Sequence, residues 1–152
     1  MENIELLRKV RIFEGLSEDK VKIFADKTTV EKFPPNAVII EEGTEGRALF
    51  IIKHGTVSVT KIDGEVETEL VKLGLGEGFG EMSMLEDNVT SASVSAYNDV
   101  ECLVISRQHF LDILNKNAEI AAKVYKNFNK ILSERLRHTS AQLAALNKEM
   151  GM

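Results

Sequence analysis

Hydrophobic spacing divides the chain into three zones. Over residues 1–27 apolar positions recur every three or four residues: Ile4, Leu7 and Val10 in IELLRKVRIF, then Val21, Phe24 and Ala25 in SEDKVKIFADK. That period sets each group on one face of a helix. Ser17 is a candidate N-cap followed by acids in the first turn. From 28 to 105 the pattern changes to alternation and short apolar runs. AVIIEEG, ALFIIKHG, TVSVTKI, EVETELVKL, SASVSA and VECLVIS are rich in β-branched residues. Pro34-Pro35, Gly43, Gly55 and Asp63-Gly64 punctuate them. Asp63-Gly64 predicts a two-residue type I′ hairpin, with Val57 and Val59 on one face and Ser58 and Thr60 on the other. Many short strands at near-even spacing predict a sandwich or jelly-roll barrel.

From 106 onward the helical period returns. SRQHFLDILNKN opens on Ser106 as an N-cap and groups Phe110, Ile113 and Leu114. No Pro or Gly interrupts residues 118–150. Leu132, Leu136, Thr139, Leu143, Leu146 and Met150 follow a 4-3-4-3-4 spacing, a heptad seam with one polar member. The seam predicts a homodimer through residues 118–150, because its leucines would otherwise face water. The alternative is one amphipathic helix packed on its own domain.

Composition narrows the function classes. The chain has 152 residues, enough for one domain, and 43% hydrophobic content. A net charge of −5 argues against a non-specific phosphate-backbone binder. The single cysteine, Cys102, excludes an intramolecular disulfide and favours a cytoplasmic setting. No apolar run approaches bilayer-spanning length, so no membrane role is expected.

Candidate chemistry is sparse. His54, His109 and His138 fall in different elements without carboxylate or cysteine partners, so no metal is expected. Cys102 sits in a strand pattern that suits a buried, inert thiol. Ser83, Ser91 and Ser93 have no nearby His or Lys to activate them, and no G-x-S-x-G elbow is present. The chain is not expected to be an enzyme. What stands out is GLGEGFGEMSML, where Gly74, Gly76, Gly78 and Gly80 alternate before Glu81. It has no G-K-[ST] and no βαβ surroundings, so it is neither a P-loop nor a dinucleotide fingerprint. Gly78 and Gly80 permit close backbone approach, and GEMSML suits one helical turn with free N–H groups for an anion. The bland role of Glu81 is to favour a helix start.

These residues resemble the cyclic-nucleotide-binding domain family of catabolite-activator and fumarate-nitrate regulators, protein kinase A regulatory subunits and nucleotide-gated channels. The likeness covers nearly the whole chain. FPPNAVIIEEGTEGRALFIIKHGTVSV is similar to the family's first half, and GEGFGEMSML to its phosphate-binding cassette. TSASV stands where the family has Arg, Ser or Thr, Ala, any residue, Val. The resemblance implies a mainly β fold: a jelly-roll, or β-roll, over 28–105, N-terminal helices over 1–27, and C-terminal helices over 106–152. It implies that Glu81 holds a ribose 2′-hydroxyl and that backbone around Gly80, Met82 and Ser83 lines the sugar-phosphate. Ser91 matches the cassette hydroxyl. Thr90 stands in place of the family's phosphate-binding Arg. Losing one partner of a desolvated charge pair costs roughly 2–5 kcal/mol, about 30- to several-thousand-fold in affinity. Cyclic AMP or cyclic GMP is therefore expected to bind weakly unless another cation serves, and Arg47, in a loop the family places near the barrel mouth, is the candidate.

RLRHTSAQLAAL resembles the long central helix of the catabolite-activator branch, where a Thr-Ser pair contacts adenine in its own and the partner subunit. Thr139 and Ser140 occupy that place. Thr139 also suits a role in fixing helix register. The regulator branch continues into a helix-turn-helix, but this chain ends at Met152, so direct DNA binding is not expected. Two functions follow: a ligand-sensing domain signalling through a dimer helix, or a dimeric scaffold without nucleotide.

Overall fold

The structure is a computed structural model describing residues 2–85 and 89–151, with the side chain of Ser83 outside that description. Helix α1 (Asn3–Lys9), a 3-10 turn (Arg11–Phe13) and α2 (Glu18–Ala25) precede the strands. Ser17 caps α2 by accepting from the Lys20 N–H. The helix expected through Phe13 breaks at Val10, which is extended. Two residues along a helix are separated by about 200°, and the break lets Val10 and Ile12 both be buried.

Strands β1 (Thr29–Phe33), β8 (Val100–Ser106), β3 (Ala48–His54) and β6 (Gly78–Phe79) form one four-stranded sheet in that order. Strands β2 (Val38–Ile40), β7 (Ser93–Ala96), β4 (Val57–Asp63) and β5 (Val66–Leu73) form the second. All pairings are antiparallel. Of the sandwich and jelly-roll that the spacing leaves open, this is the jelly-roll with flanking helices that the resemblance implies. The run LFII on β3 is apolar without alternation because both its faces are covered. Leu49 and Ile51 join Leu103 and Ile105 under the helices, while Phe50 and Ile52 face the second sheet with Val57 and Val94. Phe13, Phe24 and Phe110 pack mutually with ring centroids 4.6–6.3 Å apart.

One local expectation is corrected. Asp63 pairs with Val66, so Gly64 and Glu65, not Asp63 and Gly64, form the hairpin loop. Gly64 carries φ +64° and Glu65 does not have a positive φ, the pattern of a type II′ turn. On β4, Val59 pairs with Val71 but Thr60 with Glu69, leaving Leu70 as an extra residue on β5. The bulge lies on β5; β4 keeps an unshifted register with β7 from Val57 to Thr60, and Val57 and Val59 share the core-facing side as the alternation predicts.

Helix α3 (Glu81–Leu85) follows β6, and α4 (Arg107–Lys116) follows β8 with Ser106 accepting from the His109 N–H at 3.1 Å. Helix α5 (Ala118–Glu149) runs 32 residues. Its first half buries Ile120, Val124, Asn127, Phe128 and Ile131.

Candidate functional site

The glycine loop is positioned from both sides. Gly76 donates its N–H to the Ile52 carbonyl at 2.8 Å, and β6 pairs Gly78 with Ile51 and Phe79 with Phe50. The Phe50 and Phe79 rings stack at 5.0 Å, which anchors the strand before the turn. Gly80 then reverses the chain with φ +89°. A Cβ there would lie 2.6 Å from the Ala48 carbonyl oxygen, so both the angle and the close approach require glycine.

That turn delivers Glu81 to the start of α3 with its side chain only 8% exposed. Its carboxylate accepts from Arg135 Nη2, on α5, at 2.7 Å. Arg135 Nη1 also donates to Met82 Sδ. A buried carboxylate without a counter-charge is costly, and Arg135 supplies that charge. The sheet, the cassette and the long helix therefore meet at one ion pair.

A cavity of about 320 Å³ opens beside this pair. Gly80, Glu81 and Met82 form one wall, Thr90, Ser91 and Val94 another, and Leu70 and Val71 of β5 a third, with Arg135 bordering it from α5. Leu70 and Val71 are consecutive, and the bulge is what lets both border the same space. The volume falls at the low end of the small-ligand range.

The structure brings Gly80, Glu81, Met82, Thr90 and Ser91 to this cavity; the side chain of Ser83 lies outside the described residues. Thr90 is buried, but its hydroxyl serves the β2–β3 loop. It donates to the Glu41 carbonyl at 2.7 Å and accepts from the Thr44 N–H at 3.2 Å. Arg47 is exposed and borders a different cavity, of about 360 Å³, with Thr44 and Glu45; Thr90 touches both spaces. Thr139 and Ser140 are exposed on α5 and do not border the Glu81 cavity. Arg135 is the residue that the sequence pattern did not single out. A signal for it was present: it stands four residues before Thr139, on the same helix face.

Lys61, near the cassette, is committed elsewhere. Lys61 Nζ donates to Glu42 at 3.0 Å and to the Ser91 carbonyl at 2.9 Å, from outside the cavity. That contact and the Ile62 N–H hold the Glu42 carboxyl below its usual range. Cys102 is fully buried; burial first, then Glu31 and Glu101, push its thiol up to about 12, which makes it unreactive as a nucleophile. Among the described residues no group of three His, Cys, Asp or Glu is placed to hold a metal.

Comparison with known proteins identifies the family. The family model described as Cyclic nucleotide-binding domain matches residues 30–117. The chain belongs to that family. It is 42% identical to human cGMP-dependent protein kinase 2 over 107 residues, covering 68% of this chain and 14% of the kinase. It is 31% identical to the cyclic AMP receptor protein of Thermus thermophilus over 140 residues, covering 91% of this chain and 62% of that protein. The crystal structure of the Thermus thermophilus catabolite activator protein superposes with a TM-score of 0.79 at 30% identity, covering 90% of this chain and 63% of that one. The chain therefore spans less than two thirds of these relatives' own lengths. It is a regulatory domain of the cyclic-nucleotide-binding class.

Proposed function

We propose that the Glu81 cavity takes a cyclic nucleotide, cyclic AMP or cyclic GMP, and that its occupancy is transmitted along α5. The observation that carries this is the buried Glu81 carboxylate, set by Gly80 at the cavity wall and tied directly to Arg135 of α5. Glu81 accepts from the ribose 2′-hydroxyl, backbone around Gly80, Met82 and Ser83 lines the sugar-phosphate, and Ser91 donates to the phosphate. Thr139 and Ser140 reach a base only in a different arrangement of α5 or from a second copy. The apolar stripe Leu136, Leu143, Leu146 and Met150, all exposed, supports a homodimer through α5. Ligand that favours one arrangement of the helix shifts the population toward it. The free, buried Cys102 suits a reducing, cytoplasmic setting.

Thermal melting with each nucleotide tests this. Ligand at 100 times its dissociation constant stabilises by about 2.7 kcal/mol, which raises the melting point of a domain this size by several degrees. A dose-dependent rise is expected; no rise at millimolar nucleotide contradicts the proposal.

A second reading has one specific observation behind it. Thr90 carries no charge and its hydroxyl is engaged by the β2–β3 loop. A dimeric scaffold without nucleotide needs no cation at that position. Unchanged melting together with a dimeric mass would favour it.

A further inference from the structure

An anionic ligand in the Glu81 cavity meets a charge problem. Glu81 is already a buried carboxylate there, and Thr90 offers no positive charge. The sequence holds no Lys or Arg between Lys72 and Arg107, so no cassette residue can supply one. Lys61 is held outside by Glu42 and the Ser91 carbonyl, and Arg47 borders the other cavity. Glu81 and Arg135 also border a neighbouring cavity of about 370 Å³ that Lys9 and Arg11 line, but among the described residues Arg135 is the only Lys or Arg bordering the cavity that Glu81 shares with Thr90 and Ser91.

We infer that Arg135, carried on α5 and not on the cassette, is the cation that neutralises the ligand's phosphate in this chain while remaining paired with Glu81. This rests on the cyclic-nucleotide reading above and names the residue that makes that reading electrostatically workable. A guanidinium has five N–H donors, enough to serve a carboxylate and a phosphate together. The contacts of Arg135 leave room for this. Nη2 is engaged by Glu81, but among the described residues Nη1 meets only the Met82 thioether, a weak acceptor. A phosphate oxygen at that nitrogen exchanges a poor acceptor for a charged one. The Arg135 side chain is 51% exposed, so it can reorient without opening the core. The charge that recognises the anion thus sits on α5 itself.

The test is calorimetric titration of the full chain with cyclic AMP and cyclic GMP, and with their uncharged parents adenosine and guanosine. Wild type, Arg135→Gln, Arg135→Lys and Lys61→Gln are compared. Wild type should bind the cyclic nucleotide at least about tenfold tighter than the nucleoside, as expected when a charged pair is formed. Arg135→Gln should weaken the cyclic nucleotide by about 30-fold or more and leave the nucleoside within about threefold. Arg135→Lys should recover most of the loss, which a purely structural defect would not. Unchanged nucleotide affinity in Arg135→Gln overturns the inference. So does an equal loss for nucleotide and nucleoside, or a loss that appears in Lys61→Gln instead. Wild type that binds nucleoside as tightly as nucleotide overturns it while leaving the cavity a nucleoside site. Wild type that binds neither overturns the cyclic-nucleotide reading and this inference with it.

Discussion

The two halves of α5 share one periodicity and meet two different fates. Residues 118–131 bury Ile120, Val124 and Phe128 against the other helices and the outer face of the β3 sheet, and Ile131 is buried beside them in sequence. Beyond Leu132, which is half-buried, the stripe continues into water: Leu136 is 68% exposed and Leu143 57%. Arg135 sits at the junction, where the helix leaves its own core and touches the cavity. A repeating apolar pattern therefore establishes a helix and a buried face, but not what buries it. The first half is a structural member of its own domain. The second has the composition of an interface.

Substitutions along the helix separate the halves. The largest effect is expected at Phe128→Ala, where truncation in a packed core should lower unfolding free energy by about 3–5 kcal/mol in chemical denaturation. A loss below about 1 kcal/mol would mean that the first half is no more than surface. Asn127 should come next. Its side-chain amide donates to the Ile12 carbonyl at 3.1 Å and the Glu14 carbonyl at 2.7 Å, tying α5 to the N-terminal helices. Asn127→Ala leaves those acceptors unmet and should cost about 1–3 kcal/mol; a neutral result would sink that tie. In the second half, Leu143→Asp should change intrinsic domain stability by less than about 0.5 kcal/mol yet reduce a dimeric mass to a monomeric one by light scattering. An unchanged dimer mass would remove the helix-mediated assembly. The smallest effect belongs to Glu119 at the helix start, which receives a hydrogen bond from Lys20 that holds its carboxyl below the usual 4.5. A depressed carboxyl stabilises the fold above its unfolded range, and that contribution fades as pH falls through the folded value. Wild type should therefore exceed Glu119→Gln slightly in melting point at neutral pH, with the gap closing in acid; a gap that widens in acid contradicts the assignment.

Much of this was legible in the sequence, for identifiable reasons. Alternation and turn residues specify strands because side chains on a pleat point to alternate faces, and the caps at Ser17 and Ser106 fall where local chemistry demands them. Gly80 and Glu81 were visible because the turn requires a residue without a Cβ. What escaped depends on register and packing. The hairpin loop is shifted by one residue because Asp63 is drawn into the ladder opposite Val66. The bulge at Leu70, which presents two consecutive side chains to the cavity, has no local signature. Arg135 reads as one more charge in RLRHTS until the crossing of α5 over the cassette puts it beside Glu81. Arg47 is the candidate replacement cation by its loop position, whereas the structure sets it at a neighbouring cavity.

The most direct test of the link between cavity and helix is hydrogen exchange along α5, with and without saturating cyclic AMP. Exchange reports local opening, so it reads whether ligand at Glu81 stabilises backbone more than a turn away. Slower exchange is expected in the cassette and also in α5 from about residue 132 to 140, around Arg135 and toward Thr139. Protection confined to the cassette and the Thr90–Val94 segment, with α5 unchanged, would contradict it.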